Sequence, residues 1–160
     1  MGTAPTAITT GNTPPTVGAS MRTEGTLAPE SWAAARDRYE ELGPTARTVV
    51  REVARAMEFD REEYRERVTG EVVETARQAI FAERLAVRVD DVDAFEAWRE
   101  ATDHEVRVVG HEAVDRVAWH VAPAAGRAVA ATFQTEPEAA VSTVRRTAFN
   151  RIYREELCEP

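Results

Sequence analysis

Apolar positions along the chain follow two periods, and the switch between them divides it in half. From residue 29 the spacing is helical. "PESWAAARDRYEELG" sets Trp32, Ala35, Tyr39 and Leu42 on one stripe, and Gly43 stands where a helix C-terminus places glycine. "PTARTVVREVARAM" opens with Pro44 near a first-turn position and aligns Ala46, Val49, Val50, Val53 and Met57. "DREEYRERV" starts with Asp60 and Glu63 in capping-box spacing, and its stripe continues through Tyr64, Val68, Val72, Ala76 and Ile80, with Gly70 predicting a break or kink. Two helices before residue 58 and a third, interrupted one after it are predicted.

The second half alternates instead. "LAVRV" (85–89), "EVRVVG" (105–110), "DRVAWHVAP" (115–123) and "GRAVAATFQ" (126–134) read as strands, with "PAAG" (123–126) as a hairpin turn. Between the first two, "DDVDAFEAWREAT" reads as a short capped helix with Phe95 and Trp98 inward. Thr135 and Glu138 have capping-box spacing ahead of a last helix over "PEAAVSTVRRTAFNRIYREEL". The expected fold class is α+β: N-terminal helices, then a small, mostly antiparallel four-stranded sheet in the order β-α-β-β-β, and a C-terminal helix.

Residues 1–20 carry no charged side chain and are rich in Thr, Pro and Gly, a composition that cannot bury a core. They read as a disordered tail or a mis-called extension, with Met21 as the natural start and 21–157 as a single domain. The tail lacks the basic and apolar regions of a signal peptide. "MGTAPT" fits the short myristoylation pattern, which is common by chance.

Composition narrows the setting. There are 28 acidic residues against 20 basic ones, all 20 of them Arg, for a net charge of −8. An acidic, lysine-free, Ala- and Val-rich chain fits an extreme halophile, where about 1 M salt shortens the Debye length to about 3 Å and screens self-repulsion. No Lys means no P-loop lysine and no Schiff base. A single cysteine, Cys158, excludes an intrachain disulfide and a cysteine-rich metal or iron–sulfur site. None of the three serines lies in a G-x-S-x-G elbow, and no G-x-G-x-x-G follows a strand. No cofactor and no metal are expected, and no apolar run is long enough to span a membrane.

The segments "FDREEYRERVTGEVV" and "DAFEAWRE…EVRVVG…VAWHVAP" resemble a small haloarchaeal family of acidic α+β proteins with no assigned activity. The resemblance spans residues 21–157. It implies a haloarchaeal cytoplasm and carries over no functional residue.

Three constellations remain. "HEAVDRVAWH" (111–120) looks like a metal or acid–base motif, but H-E-x-x-H needs two histidines one helical turn apart, and Asp115 stands at the fifth position in a predicted turn and strand. Within that strand Val117, Trp119 and Val121 share one face, and Arg116, Ala118 and His120 the other. If Leu85, Val87, Val106, Val108, Val117, Trp119, Val121, Val129, Ala131 and Phe133 face the core, the opposite face holds Ala86, Arg88, Arg107, Arg116, Ala118, His120, Ala128, Ala130 and Thr132. That face is half small-apolar and half cationic. It is either covered by an N-terminal helix or free to dock a partner or an anion. Third, the last helix carries Arg145, Arg146, Arg151 and Arg154. Arg145 falls in the middle of its apolar arc of Val141, Val144, Ala148, Phe149 and Ile152, so it must pair with a carboxylate at the core edge or hold an anion.

The leading expectation is a non-enzymatic cytoplasmic interaction or regulatory domain of a halophile, with a protein partner or a homodimer as its mode of action. An anion-binding protein or enzyme using His120 with Arg107 or Arg116 is the rival. Nucleic-acid binding through the last helix is the third, and it is disfavoured because six to ten phosphate contacts lose roughly 10³–10⁵ in affinity between 50 and 200 mM salt.

Overall fold

The computed structural model describes residues 22–111 and 114–158. The tail, Met21 and Glu112 of the histidine motif lie outside the described residues. The first helix, α1, runs from Trp32 to Ala56 without interruption, its start capped by the Ser31 hydroxyl, which accepts from the Ala34 N–H at 3.1 Å. The two helices predicted on either side of Gly43–Pro44 are therefore one. Pro44 forfeits a backbone hydrogen bond in the helix interior, but Tyr39, Leu42, Ala46, Val50 and Ala54 form one continuous buried stripe through it. That stripe outweighs the local breaker.

The capping box at Asp60 and Glu63 is present in both directions (2.8 and 3.1 Å) and opens α2, Arg61–Arg67. The break predicted at Gly70 falls at Val68–Thr69, and Thr69 caps α3, Gly70–Glu83. No residue of α2 is buried.

The sheet is mixed and has five strands: β1 (Arg22–Glu24), β2 (Val87–Asp91), β3 (Glu105–Val109), β4 (Arg116–Ala122) and β5 (Arg127–Phe133), in the order β1-β2-β4-β5-β3. All neighbours are antiparallel except β3 and β5. The fifth strand, β1, is three residues long and adds to the β2 edge. Helix α4 (Val92–Ala101) leaves β2 directly, with Asp91 as its cap, and the turn at 123–126 closes with Gly126 at φ +65°. The last helix, α5, spans Pro137–Ala148 with Glu136 at its N-cap and no side-chain cap bond, so the predicted Thr135–Glu138 capping box does not form. Pro137 sets the start of the helix and leaves Thr135 one residue too far out. A π-helical turn, Phe149–Tyr153, follows, and then a last α-helical turn, α6, Arg154–Cys158.

Helices cover both faces of the sheet. On one side α1, α3 and α5 pack over Val87, Val89, Ala118, Ala122, Val129 and Ala131. The rings of Tyr39, Phe81, Phe149 and Tyr153 meet edge-on or tilted through this layer, with centroids 5.4–5.9 Å apart. On the other side α4 brings Phe95 and Trp98 onto Val117, Trp119 and Ala130. The predicted face assignment is corrected here. Alternation within each strand is right, but the register sets Ala118 against Val89 and Ala131, and Trp119 against Arg88 and Ala130. The larger side chains of different strands thus lie on opposite faces, and the Ala/Arg face does not exist as a unit. Ala118, Ala128, Ala130 and Ala131 are all core residues.

Candidate functional site

His120 is the buried histidine of the chain, with no exposed surface. Its Nδ1–H donates to the Ala86 carbonyl at 2.7 Å, since a carbonyl can only accept. That leaves Nε2 as the acceptor for the Tyr153 hydroxyl, also at 2.7 Å. Burial depresses the imidazole to a pKa of about 4, and the nearby Arg145 and Arg88 charges add to the effect. Burial likewise pushes the Tyr153 phenol up. The pair is therefore neutral, satisfied and packed beneath the sheet's helical layer, and it ties the π turn to the β4 strand.

The partners expected for His120 stand apart from it. Arg107 shares its sheet face, but Val129 of β5 lies between them in register, a separation of two strands or about 10 Å. Arg107 is exposed on the edge strand. Arg116 is four residues along β4, about 13 Å away, with its guanidinium 5.7 Å over the Phe133 ring. The three do not form one site. Among the described residues no group of three or more His, Cys, Asp or Glu side chains is placed to hold a metal ion.

The last helix brings its arginines closer together. Arg145 is nearly buried, with a side-chain exposure of 13%. Its Nε donates to the Leu85 carbonyl at 3.1 Å, and Nη1 pairs with Glu83 at 3.2 Å. The carboxylate at the core edge that its position demands is thus Glu83. Gly25, at φ +86°, makes room for the guanidinium: a Cβ there would lie 2.8 Å from Nη2. Arg145, Arg146 and Arg154 line one groove of about 310 Å³ between α3 and the α5–π segment. Arg151 is exposed elsewhere on the helix, where its carbonyl accepts from Arg127 at 3.2 Å.

Two features escaped the sequence reading. The first is a polar cluster at the junction of α1, α3 and α6. The Tyr39 hydroxyl donates to Glu74, so the Cys158 thiol, 3.4 Å away, donates to the phenol oxygen. Arg77 pairs with Glu74 and lies 4.4 Å over the Tyr39 ring. Burial, then the thiol and carboxylate contacts, raise the Tyr39 phenol. Burial alone would raise Glu74, but the Tyr39 and Arg77 bonds hold it below its usual range. The adjoining cavity of about 530 Å³ is rimmed by Glu40, Glu155 and Glu156, with Arg36 bound to Glu156 at 3.0 Å. A neutral phenol and a twice-bonded carboxylate hold α6 in place rather than move protons.

The second is the far end of α1. The buried stripe runs on through Val50 and Ala54, but beside it Val49, Val53 and Met57 line up at i, i+4 and i+8 and are 41%, 52% and 59% exposed. Tyr64 of α2 and Val72 of α3 are also large apolar side chains left open to solvent, at 38% and 42%. No helix among the described residues is long and apolar enough to cross a membrane.

Comparison with curated proteins and with solved structures yields no match. A family model does match, over residues 26–154, and the chain belongs to that family, a family of unknown function (DUF5809).

Proposed function

We propose that the chain is a non-enzymatic, cytoplasmic interaction domain of a halophile, that its partner is a second copy of itself, and that the contact is made by the far end of α1. The observation that carries this reading is the uncovered stripe of Val49, Val53 and Met57. The sheet faces are unsuited to docking because helices already occupy both. A two-fold interface uses one patch on both subunits, so the patch must complement itself. Antiparallel packing of α1 on its copy about Val53 sets each Val49 against the other copy's Met57, with no charged residue of the stripe on the axis.

Magnitudes favour a weak, reversible dimer. Full burial of a Val or Met side chain is worth about 1.5–3 kcal/mol, so a half-exposed one gains roughly 1 kcal/mol. Six such side chains supply about 6 kcal/mol. Association costs about 4–15 kcal/mol. Self-association is therefore concentration-dependent.

Light scattering in molar KCl tests it. The wild-type mass rises with concentration from 17.7 kDa towards twice that value, and Val53→Glu, at a solvent-exposed helical position, stays at the monomer mass with an unchanged circular dichroism spectrum. A wild type that remains monomeric at every concentration, or a Val53→Glu variant that dimerises equally, refutes the reading.

A further inference from the structure

The two edges of the sheet are not alike. At one end β1 is three residues long, and its Arg22 and Glu24, two positions apart on one face, pair with each other at 2.9 Å. At the other end lies β3, five residues long, whose outer side pairs with no strand among the described residues. The Glu105 N–H donates to the Gly126 carbonyl at 3.0 Å, and along a parallel ladder alternate residues face the same neighbour. Glu105, Arg107 and Val109 therefore turn their backbone groups towards β5, and Val106 and Val108 turn theirs outward. Such a row of outward N–H and C=O groups is a template for an added strand.

Side chains decide which strand is accepted. Val106 and Val108 lie on the α4 face, partly buried against the cluster of Phe95, Val117 and Trp119. Val108 also lines a cavity of about 360 Å³, together with Val92, Phe95, Val117 and the Glu96–Arg99 pair. The other face of β3 carries Glu105 and Arg107. Unlike Arg22 and Glu24, these two do not pair with each other. Glu105 reaches only Arg127, at 4.0 Å with its side chain 84% exposed, and Arg107 makes no ion pair among the described residues. Charges on an edge discourage a strand that brings none to match them. They favour one whose charges are opposite, since cross-strand pairs of opposite sign stabilise a sheet and like pairs destabilise it.

We propose that the β3 edge binds an extended peptide segment of a partner protein, added antiparallel as a further strand. In that segment an acid stands between two apolar residues and a base follows, Val-Glu-Val-Arg being the simplest form. The two valines face Val108 and Val106 and exchange backbone hydrogen bonds with them, the glutamate faces Arg107, and the arginine faces Glu105. Residues 105 and 107 then fall in the non-hydrogen-bonded pairs, where opposed side chains come closest. Both ion pairs are thus made at the shortest reach a sheet offers. A larger apolar residue in place of the first valine has the cavity beside Val108 to fill. This contact is separate from the α1 stripe and does not rest on self-association.

Titration of short capped peptides into isotope-labelled protein in molar KCl, followed by NMR, decides the matter. The Val53→Glu variant serves beside the wild type, so that the outcome does not depend on contact between copies through α1. Val-Glu-Val-Arg flanked by threonines is expected to shift the amide resonances of Val106 and Val108 and to slow their exchange with solvent. Charge-swapped Val-Arg-Val-Glu, of the same composition, is expected to bind about fivefold more weakly, the loss of two cross-strand ion pairs. Methylating the two valine amides of the peptide sets methyl groups against β3 and should abolish binding. In protein carrying both Glu105→Arg and Arg107→Glu, the preference between the two peptides should reverse. No binding of Val-Glu-Val-Arg, equal affinity for the swapped peptide, binding that survives amide methylation, or a folded double variant that keeps the original preference overturns the proposal. So does an edge already taken by a second copy, seen as self-association of Val53→Glu that a further Arg107→Glu abolishes.

Discussion

A buried histidine with both nitrogens occupied makes a sharp statement about pH. His120 has its basicity depressed to about 4 in the folded state, chiefly by burial, against 6.5 in an exposed chain. Above pH 6.5 the ring is neutral in both states and its contribution to stability is complete. As pH falls, the unfolded chain takes up a proton that the folded one refuses, so stability drops between pH 6.5 and about 4, by at most about 3 kcal/mol. The expected result is a wild-type unfolding free energy that falls across this window more steeply than that of His120→Gln, with His120 ring resonances that do not titrate above pH 5. Parallel curves for the two proteins, or a ring that titrates near 6.5, would refute this. Alternation along "DRVAWHVAP" placed His120 beside Ala118 correctly. It could not reveal Tyr153, 33 residues away, or the Ala86 carbonyl, because those partners are set by how the last helix lies on the sheet. The same limit hid the Tyr39–Glu74–Arg77 cluster: Tyr39 was legible only as one position of an apolar stripe.

Among elements, α1 shows where local signals mislead. Gly43–Pro44 has the residues of a helix end followed by a helix start, and read locally it ends one. The phase of the stripe says otherwise, since Tyr39, Leu42, Ala46 and Val50 keep helical spacing across the dipeptide. Continuity of phase over about three turns reflects a packed face, and packing outweighs a single breaker. Gly43 itself is not required. Its conformation is helical, and a Cβ there would meet Arg77 Nη1 at 3.6 Å, an ordinary contact. Gly43→Ala should therefore raise stability by about 0.5–1 kcal/mol through the lost entropy of the unfolded chain. Thermal melting checks this directly, and a lower melting temperature would show that the glycine relieves strain around Pro44. The strand β1 illustrates the opposite limit. Three residues, Arg22–Glu24, offer no period to detect, and only pairing with β2 makes them a strand.

At the scale of the whole molecule, the reading of the sheet failed for a reason that also bears on the surface. Alternation that sets the larger side chains of each strand on one core face suits a sheet with one face in water. A sheet covered on both sides is apolar at both parities, and then only register tells which residues share a face. Apart from the buried Asp90, the charged side chains lie mainly on the outer helices and edges, and over the whole chain acids outnumber bases by eight. Half of the ion pairs among the described residues are i, i+3 contacts, and exposed ones such as Arg55–Glu52 at 3.1 Å and Arg38–Glu41 at 3.9 Å are worth at most about 1 kcal/mol each. Two salt effects then compete. Screening weakens these pairs slightly, and it relieves the repulsion of the excess carboxylates, which the compact state feels more than the expanded one. The Debye length falls from about 10 Å at 0.1 M to about 3 Å at 1 M, so long-range repulsion vanishes over that range while contact pairs persist. The melting temperature is accordingly expected to rise monotonically from 0.1 to 1 M KCl, and by less in a variant with the outward-facing Glu62 and Glu66 of α2 changed to glutamine. A melting temperature that falls with salt would mean that the pairs, not the excess charge, govern the electrostatics of the fold, and it would remove the physical ground for assigning the chain to a high-salt cytoplasm.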